Sequence, residues 1–309
     1  MNLNNVSILD SSLTKFNWNY YKILSEKKPY RLKNKITIGI IDSGIDINNP
    51  YVKNKSFFGS SFVSSEYTED VAGHGTQVFG VLDTLVNCAI YKIYKVMDRE
   101  ITSSLNLVNA IFAAVDDDVD IINISLGIYK DITKKTDRII ISGFEKAINY
   151  AKQNNVLIVA SSGNNGLNLD KHPHIIHLPS DLEYVINVGS SNKQGSLTKY
   201  TNFGRNLDIV APSGEWRAQD NKIIFPEMIL TYGKMSTFLE SVSYYKDIPN
   251  GLVLSYGTSL ATPIIVAALA ILMDKFQHLA INEYKEKLLS NSVDIFHHDF
   301  LYKEIRIVN

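Results

Sequence analysis

Ser255-Tyr-Gly-Thr-Ser-Leu-Ala-Thr-Pro263 passes from a turn of small residues straight into Leu260 to Met273, an almost wholly apolar run of helical length. The stretch predicts a buried helix with Pro263 in its first turn, where the missing N–H costs nothing. Ser259 then lies at a helix N-terminus, with small neighbours that leave its hydroxyl reachable. Unpaired backbone N–H groups at such an end favour negative charge. A serine held there is able to attack a carbonyl while its own N–H stabilises the oxyanion that forms. Taken alone, Gly-Thr-Ser before an apolar run reads first as a serine cap on a core helix. The rest of the chain changes that reading.

Upstream, Lys35-Ile-Thr-Ile-Gly-Ile-Ile-Asp42 is a β-branched run that ends on a carboxylate and is followed by Ser43-Gly44. It predicts a buried parallel strand with Asp42 at its C-terminal edge, where open α/β sheets place their chemistry. By itself such an Asp is more often a loop cap or hydrogen-bond acceptor. Gly73-His-Gly-Thr76 opens a segment of helical period to Leu85, with His74 at the helix start between two glycines that permit close approach. Strands follow at Ala89 to Met97, Asp120 to Gly127 and Asn155 to Ala160, with shorter ones at Val185 to Gly189 and Leu207 to Ala211. Helices are expected at Leu105 to Val115 and Asp137 to Gln153. Strands alternating with helices point to an α/β fold with a doubly wound, mainly parallel sheet. No repeat or linker divides the chain, so residues 1–309 read as a single domain. Its margins are an N-terminal arm (1–34), in which Phe16 to Tyr21 packs as a short helix or arm on the surface, and an irregular insertion (214–254).

Bulk properties exclude several classes. The chain has 309 residues, 45% hydrophobic and 20% charged, enough apolar material for a large core. A net charge of −1 makes no electrostatic case for nucleic acid or an anionic membrane as partner. A single cysteine, Cys88, rules out an internal disulfide framework, and its position at a strand start reads as a buried structural thiol. The first ten residues carry no secretory signal pattern, and Ile264 to Met273 is too short to span a bilayer. The expected location is the cytoplasm.

Asp42, His74 and Ser259 thus stand, in that order, at strand ends or helix starts of one sheet. Asp-Ser-Gly, His-Gly-Thr and Gly-Thr-Ser-x-Ala-Thr-Pro together form the motif set of the subtilisin-like serine proteases, which this chain resembles from about Lys35 to Met273. The resemblance implies a catalytic triad: Ser259 as nucleophile, His74 as general base and acid, and Asp42 orienting the imidazole. It also implies a side-chain amide in the oxyanion hole. The matching position is Asn164 in Ser162-Gly-Asn-Asn165, with Asn165 as the alternative register.

By the same resemblance, Ser125, Leu126 and Gly127 pair with the peptide substrate on one side, and Glu100, Ile101 and Thr102 form the opposite wall. The pocket for the residue before the scissile bond is expected to be lined by Ser125 to Gly127, Ser161, Ser162, Gly163 and His174 to Pro179. That last stretch carries no acid, which favours a neutral polar or apolar side chain there. Asp98 and Glu100 suggest tolerance of a positive residue further upstream.

Departures from the family pattern narrow the reading. Only 41 residues precede Asp42, so no long pro-segment fits, and the calcium-binding loop of secreted members is missing between Leu85 and Cys88. No metal and no cofactor are expected. A compact member of this kind resembles the intracellular leader peptidases of lanthipeptide biosynthesis, which implies a peptide precursor as partner; a monomer is the expected working form. A general intracellular protease and a catalytically silent peptide-binding relative are the alternatives.

Overall fold

β-Branched runs build the centre of the molecule. The computed structural model describes residues 7–24, 28–98, 102–216, 218–219, 222–234 and 248–306. In it, Thr37–Asp42 (β1) is buried along its whole length. It joins Phe58–Ser61 (β2), Ile90–Lys95 (β3), Ile121–Ile124 (β4), Leu157–Ser161 (β5), Val185–Ser191 (β6) and Ile209–Pro212 (β7) in one sheet. A terminal hairpin of Val293–His297 (β8) and Phe300–Glu304 (β9) completes it. The strand order is β8-β9-β7-β6-β5-β4-β1-β3-β2, and every neighbouring pair is parallel except the hairpin.

From β1 the chain first builds one flank of the sheet (β2, β3), then crosses to build the other (β4 to β7). The order therefore reverses between β1 and β4, and the crevice at such a switch point is where open α/β sheets bind ligands. Asp42 ends β1 there, and Ser125 follows β4 directly.

Helices cover both faces, as expected. Ser104–Asp116 (α3) and Lys135–Gln153 (α4) pack together on one face over a core that includes Ile122, Ile124 and Phe144. On the other, His74–Leu85 (α2) packs against Thr258–Lys275 (α5), and Ile281–Ser290 (α6) lies on α5. Helix α5 is apolar all round because it is enclosed all round. Its 18 residues are apolar enough by length and composition to cross a membrane, yet 89% of them are buried inside the fold.

Four expectations are corrected. Phe16 to Tyr21 does not lie on the surface. Trp18–Ile23 (α1) is a short helix with Trp18, Tyr20 and Ile23 in the core, the Ile side chain alone being worth about 1.5–3 kcal/mol when fully buried. Trp18 Nε1 donates to Met228 O and Tyr20 Oη to Leu230 O, at 3.1 and 2.8 Å. Second, the described part of 214–254 is not simply irregular. Ile229–Tyr232 pairs antiparallel with Leu252–Ser255, both are buried, and α2 comes so close that a Cβ on Gly80 would sit 2.5 Å from Tyr232 N. Third, Cys88 is exposed, in a turn at φ +67 rather than inside the strand that begins at Ile90. Fourth, Pro263 lies beyond the first turn of α5, which starts at Thr258.

Candidate active site

Asp42 has no exposed side-chain surface, and its Oδ1 lies 2.7 Å from His74 Nδ1 while accepting the Ser43 N–H at 2.8 Å. An ionised carboxylate only accepts hydrogen bonds, so Nδ1 carries the proton and the lone pair of a neutral ring sits on Nε2. Among the described residues nothing hydrogen-bonds to Nε2, and the His74 side chain is 28% exposed. Burial alone would lower the imidazole pKa. The charge and hydrogen bond of Asp42, with the charge of Asp70, outweigh it and hold the ring above its ordinary value. The two motif loops touch: a Cβ on Gly75 would lie 2.1 Å from Gly44 O, which is why glycine stands there.

Asp70 is not marked out by its sequence context, yet it ties those loops together. Its Oδ1 accepts from Ser43 Oγ and Gly73 N, both at 2.7 Å. Its Oδ2 accepts from Thr76 N at 2.8 Å and Thr76 Oγ1 at 2.6 Å. Ser43 Oγ in turn accepts from Gly75 N at 2.9 Å. The residues flanking Asp42 and His74 are thereby held by one buried carboxylate, whose own pKa is raised by burial against the pull of these hydrogen bonds.

Ser259 is the second residue of α5, after the cap residue Gly257 at φ +134, a backbone region open to glycine. Its hydroxyl donates to Ser125 O at 2.9 Å, and Ser125 Oγ donates back to Ser259 O at 2.7 Å. The second bond depends on Pro263. In an α-helix Ser259 O would accept from the N–H four residues on, and Pro263 has none. The freed carbonyl is taken by Ser125, which Asn123 Nδ2 also holds, at 3.0 Å. From behind, Tyr200 Oη accepts from Gly257 N and Ser213 Oγ donates to Gly257 O, at 3.0 and 2.9 Å.

The two asparagines after Gly163 have different partners. Asn164 is exposed, and its Oδ1 accepts from both Thr258 N and Thr258 Oγ1, at 2.9 and 2.8 Å. That assignment leaves Nδ2 as a donor beside the Gly257-Thr-Ser259 turn. Asn165 Oδ1 instead accepts from Tyr129 Oη at 2.7 Å.

Of the expected substrate contacts, Ser125, Leu126 and Gly127 follow β4 beside Ser259, while Ser161, Ser162 and Gly163 lead from β5 to Asn164. Thr102 is half-buried and donates to Val96 O at 3.0 Å. Glu100 and Ile101 lie outside the described residues. Asp98, read as an attraction for a cation, is 3.1 Å from the buried Lys95 ammonium and bonded to Ser65 Oγ. Among the described residues no three His, Cys, Asp or Glu side chains group as metal ligands. The arrangement suits acyl transfer: a serine at a helix N-terminus, an oriented imidazole, and an amide donor locked on the same turn.

Comparisons with known proteins agree in kind. The model of the subtilase family matches residues 33–302, extending past the stretch that carries the motifs. The chain is 28% identical to the epidermin leader peptide-processing serine protease EpiP of Staphylococcus epidermidis, over 93% of this chain and 72% of that protein. It is 27% identical to the nisin leader peptide-processing serine protease NisP of Lactococcus lactis subsp. lactis, over 91% of this chain but 47% of that longer protein. Among solved structures, a lanthipeptide protease superposes with a TM-score of 0.86 at 27% identity, covering 99% of this chain and 95% of the other.

Proposed function

The chain belongs to the subtilase family of serine proteases, and from that premise we propose that it is an endopeptidase that removes the leader from a modified lanthipeptide precursor. The observation that carries the reading is the pair of locked groups about Ser259. Asp42 fixes the His74 tautomer and Thr258 fixes Asn164, and among the described residues neither His74 Nε2 nor Asn164 Nδ2 has a hydrogen-bond partner.

In this reading the Ser259 side chain turns from Ser125 O toward His74. Nε2 takes its proton as Oγ adds to the substrate carbonyl, and Asp42 stabilises the imidazolium. The oxyanion is met by the Ser259 N–H at the start of α5 and by Asn164 Nδ2. His74 then protonates the departing amine, and water releases the acyl group. The peptide lies as an added strand between residues 125–127 and residues 100–102. Substrate class is supported by the leader-processing relatives. We place the reaction in the cytoplasm, with the chain acting as a monomer; a single exposed thiol with no disulfide partner is compatible with that compartment.

The test is mass spectrometry of products from a lanthipeptide precursor and from casein, with Ser259→Ala as control. One cut at the leader boundary and intact casein are expected. Broad casein degradation would transfer the reading to a general protease. Failure of Ser259 to react with a fluorophosphonate would end the enzymatic reading.

A further inference from the structure

Two glycines frame the approach to the nucleophile, and one imidazole lies against both. Gly127 is two residues from Ser125, which exchanges two hydrogen bonds with Ser259, and Gly163 immediately precedes Asn164. A Cβ on Gly127 would meet His177 Cε1 and Nε2 at 2.2 and 2.4 Å, and a Cβ on Gly163 would meet Nε2 at 3.2 Å. The space that a side chain on either glycine would enter is therefore held by the edge of the His177 ring.

His177 is firmly placed. It lies on Ile175–Leu178, which pairs antiparallel with Ile128–Asp131 so that His177 stands opposite Tyr129, with ring centroids 4.8 Å apart. Its Nδ1 is 2.8 Å from Ser180 Oγ, and its backbone N–H donates to Asp181 Oδ2 at 2.7 Å. His177 is 3% exposed, and burial lowers its pKa to about 4, so the ring is neutral at pH 7. Tyr129 Oη and Asn202 Nδ2, which also approach Gly163, are satisfied: Oη donates to Asn165 Oδ1, and Nδ2 donates to Oη and to Ser162 O. Nε2 is different. Among the described residues it has no hydrogen-bond partner, although it belongs to an almost wholly buried side chain.

We propose that His177 determines which residue is accepted immediately before the scissile bond: a side chain entering between Gly127 and Gly163 meets Nε2, and the site selects a short uncharged side chain ending in an amide or hydroxyl. An amide presents both a donor and an acceptor and so suits either tautomer of the ring. A cationic side chain finds only a weak counter-ion in the neighbouring Asp181, whose oxygens already accept from His177 N and Asn187 Nδ2 and whose pKa burial raises to about 6. A large aromatic one meets the ring itself. This inference rests on the endopeptidase reading above.

The experiment measures kcat/KM on one precursor-derived peptide carrying Asn, Gln, Ser, Leu, Met, Phe, Arg or Glu before the scissile bond. Enzyme is counted by fluorophosphonate labelling, so failure of the peptidase reading shows separately as absent labelling. The wild type should favour Asn or Gln over Leu or Met by at least about tenfold, since a site built to hydrogen-bond rejects the apolar isostere. His177→Phe keeps bulk without the nitrogen and should bring that ratio close to one. His177→Gly should raise the relative rate on Phe and Leu by at least about tenfold. Labelled wild-type enzyme that prefers Arg, Glu or Phe would overturn the proposal without any variant, and so would a folded His177→Phe enzyme that keeps the amide preference.

Discussion

Replacing Asp70 by asparagine changes one atom of a buried side chain and tests the whole support of the Asp42–His74 pair. Each carboxylate oxygen accepts one backbone N–H and one hydroxyl, from Gly73 and Ser43 on Oδ1 and from Thr76 on Oδ2. An amide has a single oxygen, so whichever way the substituted side chain turns, one backbone N–H faces an NH2 group. The hydroxyl in that pair can rotate; the backbone donor cannot. A buried donor without an acceptor costs about 1–3 kcal/mol. For a chain of 309 residues that corresponds to a fall in Tm of roughly 2–5 °C. The same substitution removes a negative charge that helps to hold the His74 pKa up. The sign follows: without that charge imidazolium is less favoured, the pKa falls, and the acid limb of kcat/KM against pH moves to lower pH. Thermal unfolding and the pH profile of the same preparation read both effects, with active enzyme counted by fluorophosphonate labelling. An unchanged Tm with an unmoved acid limb, or a limb displaced to higher pH, would refute the assignment of Asp70 as the positioning carboxylate.

In the wild type, kcat/KM should rise as His74 loses its proton, with a midpoint above the ordinary imidazole value of about 6.5, because Asp42 and Asp70 hold the proton on; a profile flat between about pH 5 and 8 would remove His74 as the base. Asn164→Ala should lower kcat by about 10²–10³ with little change in KM, the magnitude being that for loss of the oxyanion amide in subtilisin, a relative of this chain; an equal rise in KM at constant kcat would mean ground-state binding instead. Tyr20→Phe strips the Leu230 carbonyl of its buried donor and should cost about 1–3 kcal/mol in denaturant unfolding while leaving kcat/KM unchanged. A neutral effect on stability would show that the N-terminal helix is not bound to the core as described.

The legible parts of the fold are those buried on both faces. A central parallel strand such as β1 has no room for alternation, so Ile38, Ile40 and Ile41 announce it. The parts that escape a sequence reading are mixed in burial. Strand β2 alternates on an edge with Phe58 62% exposed, and β8 leaves Phe296 on the surface, so neither yields a simple pattern. The N-terminal helix is misleading for the opposite reason. Asn17 and Asn19 suggest a solvated segment, but both are fully buried, and Asn17 Nδ2 donates to Ile8 O and Asp10 O. A buried polar residue held by backbone carbonyls, as Asn17 is, is indistinguishable in sequence from a surface one.

The candidate site divides along the same line. Asp42, His74 and Ser259 each sit in a local word of three residues whose glycines are required by local geometry, so each is visible without its partners. Asp70, Ser125 and His177 gain meaning only from contacts across the fold: one acid among 32, a serine after a strand, one histidine among seven. Pro263 shows how the two kinds join. Read locally it marks a helix start, and the structure moves it deeper into α5. There its missing N–H releases Ser259 O, and a serine 134 positions earlier in the chain supplies the donor. The defect in the helix is thus what lets the residue after β4 hold the Gly257-Thr-Ser259 turn directly. The turn is held by Ser125 through Ser259 O and by Asn164 through Thr258 N, so a shift in either would move the Ser259 hydroxyl. The helix that reads as the most self-sufficient element in the sequence is, at its working end, completed by the sheet.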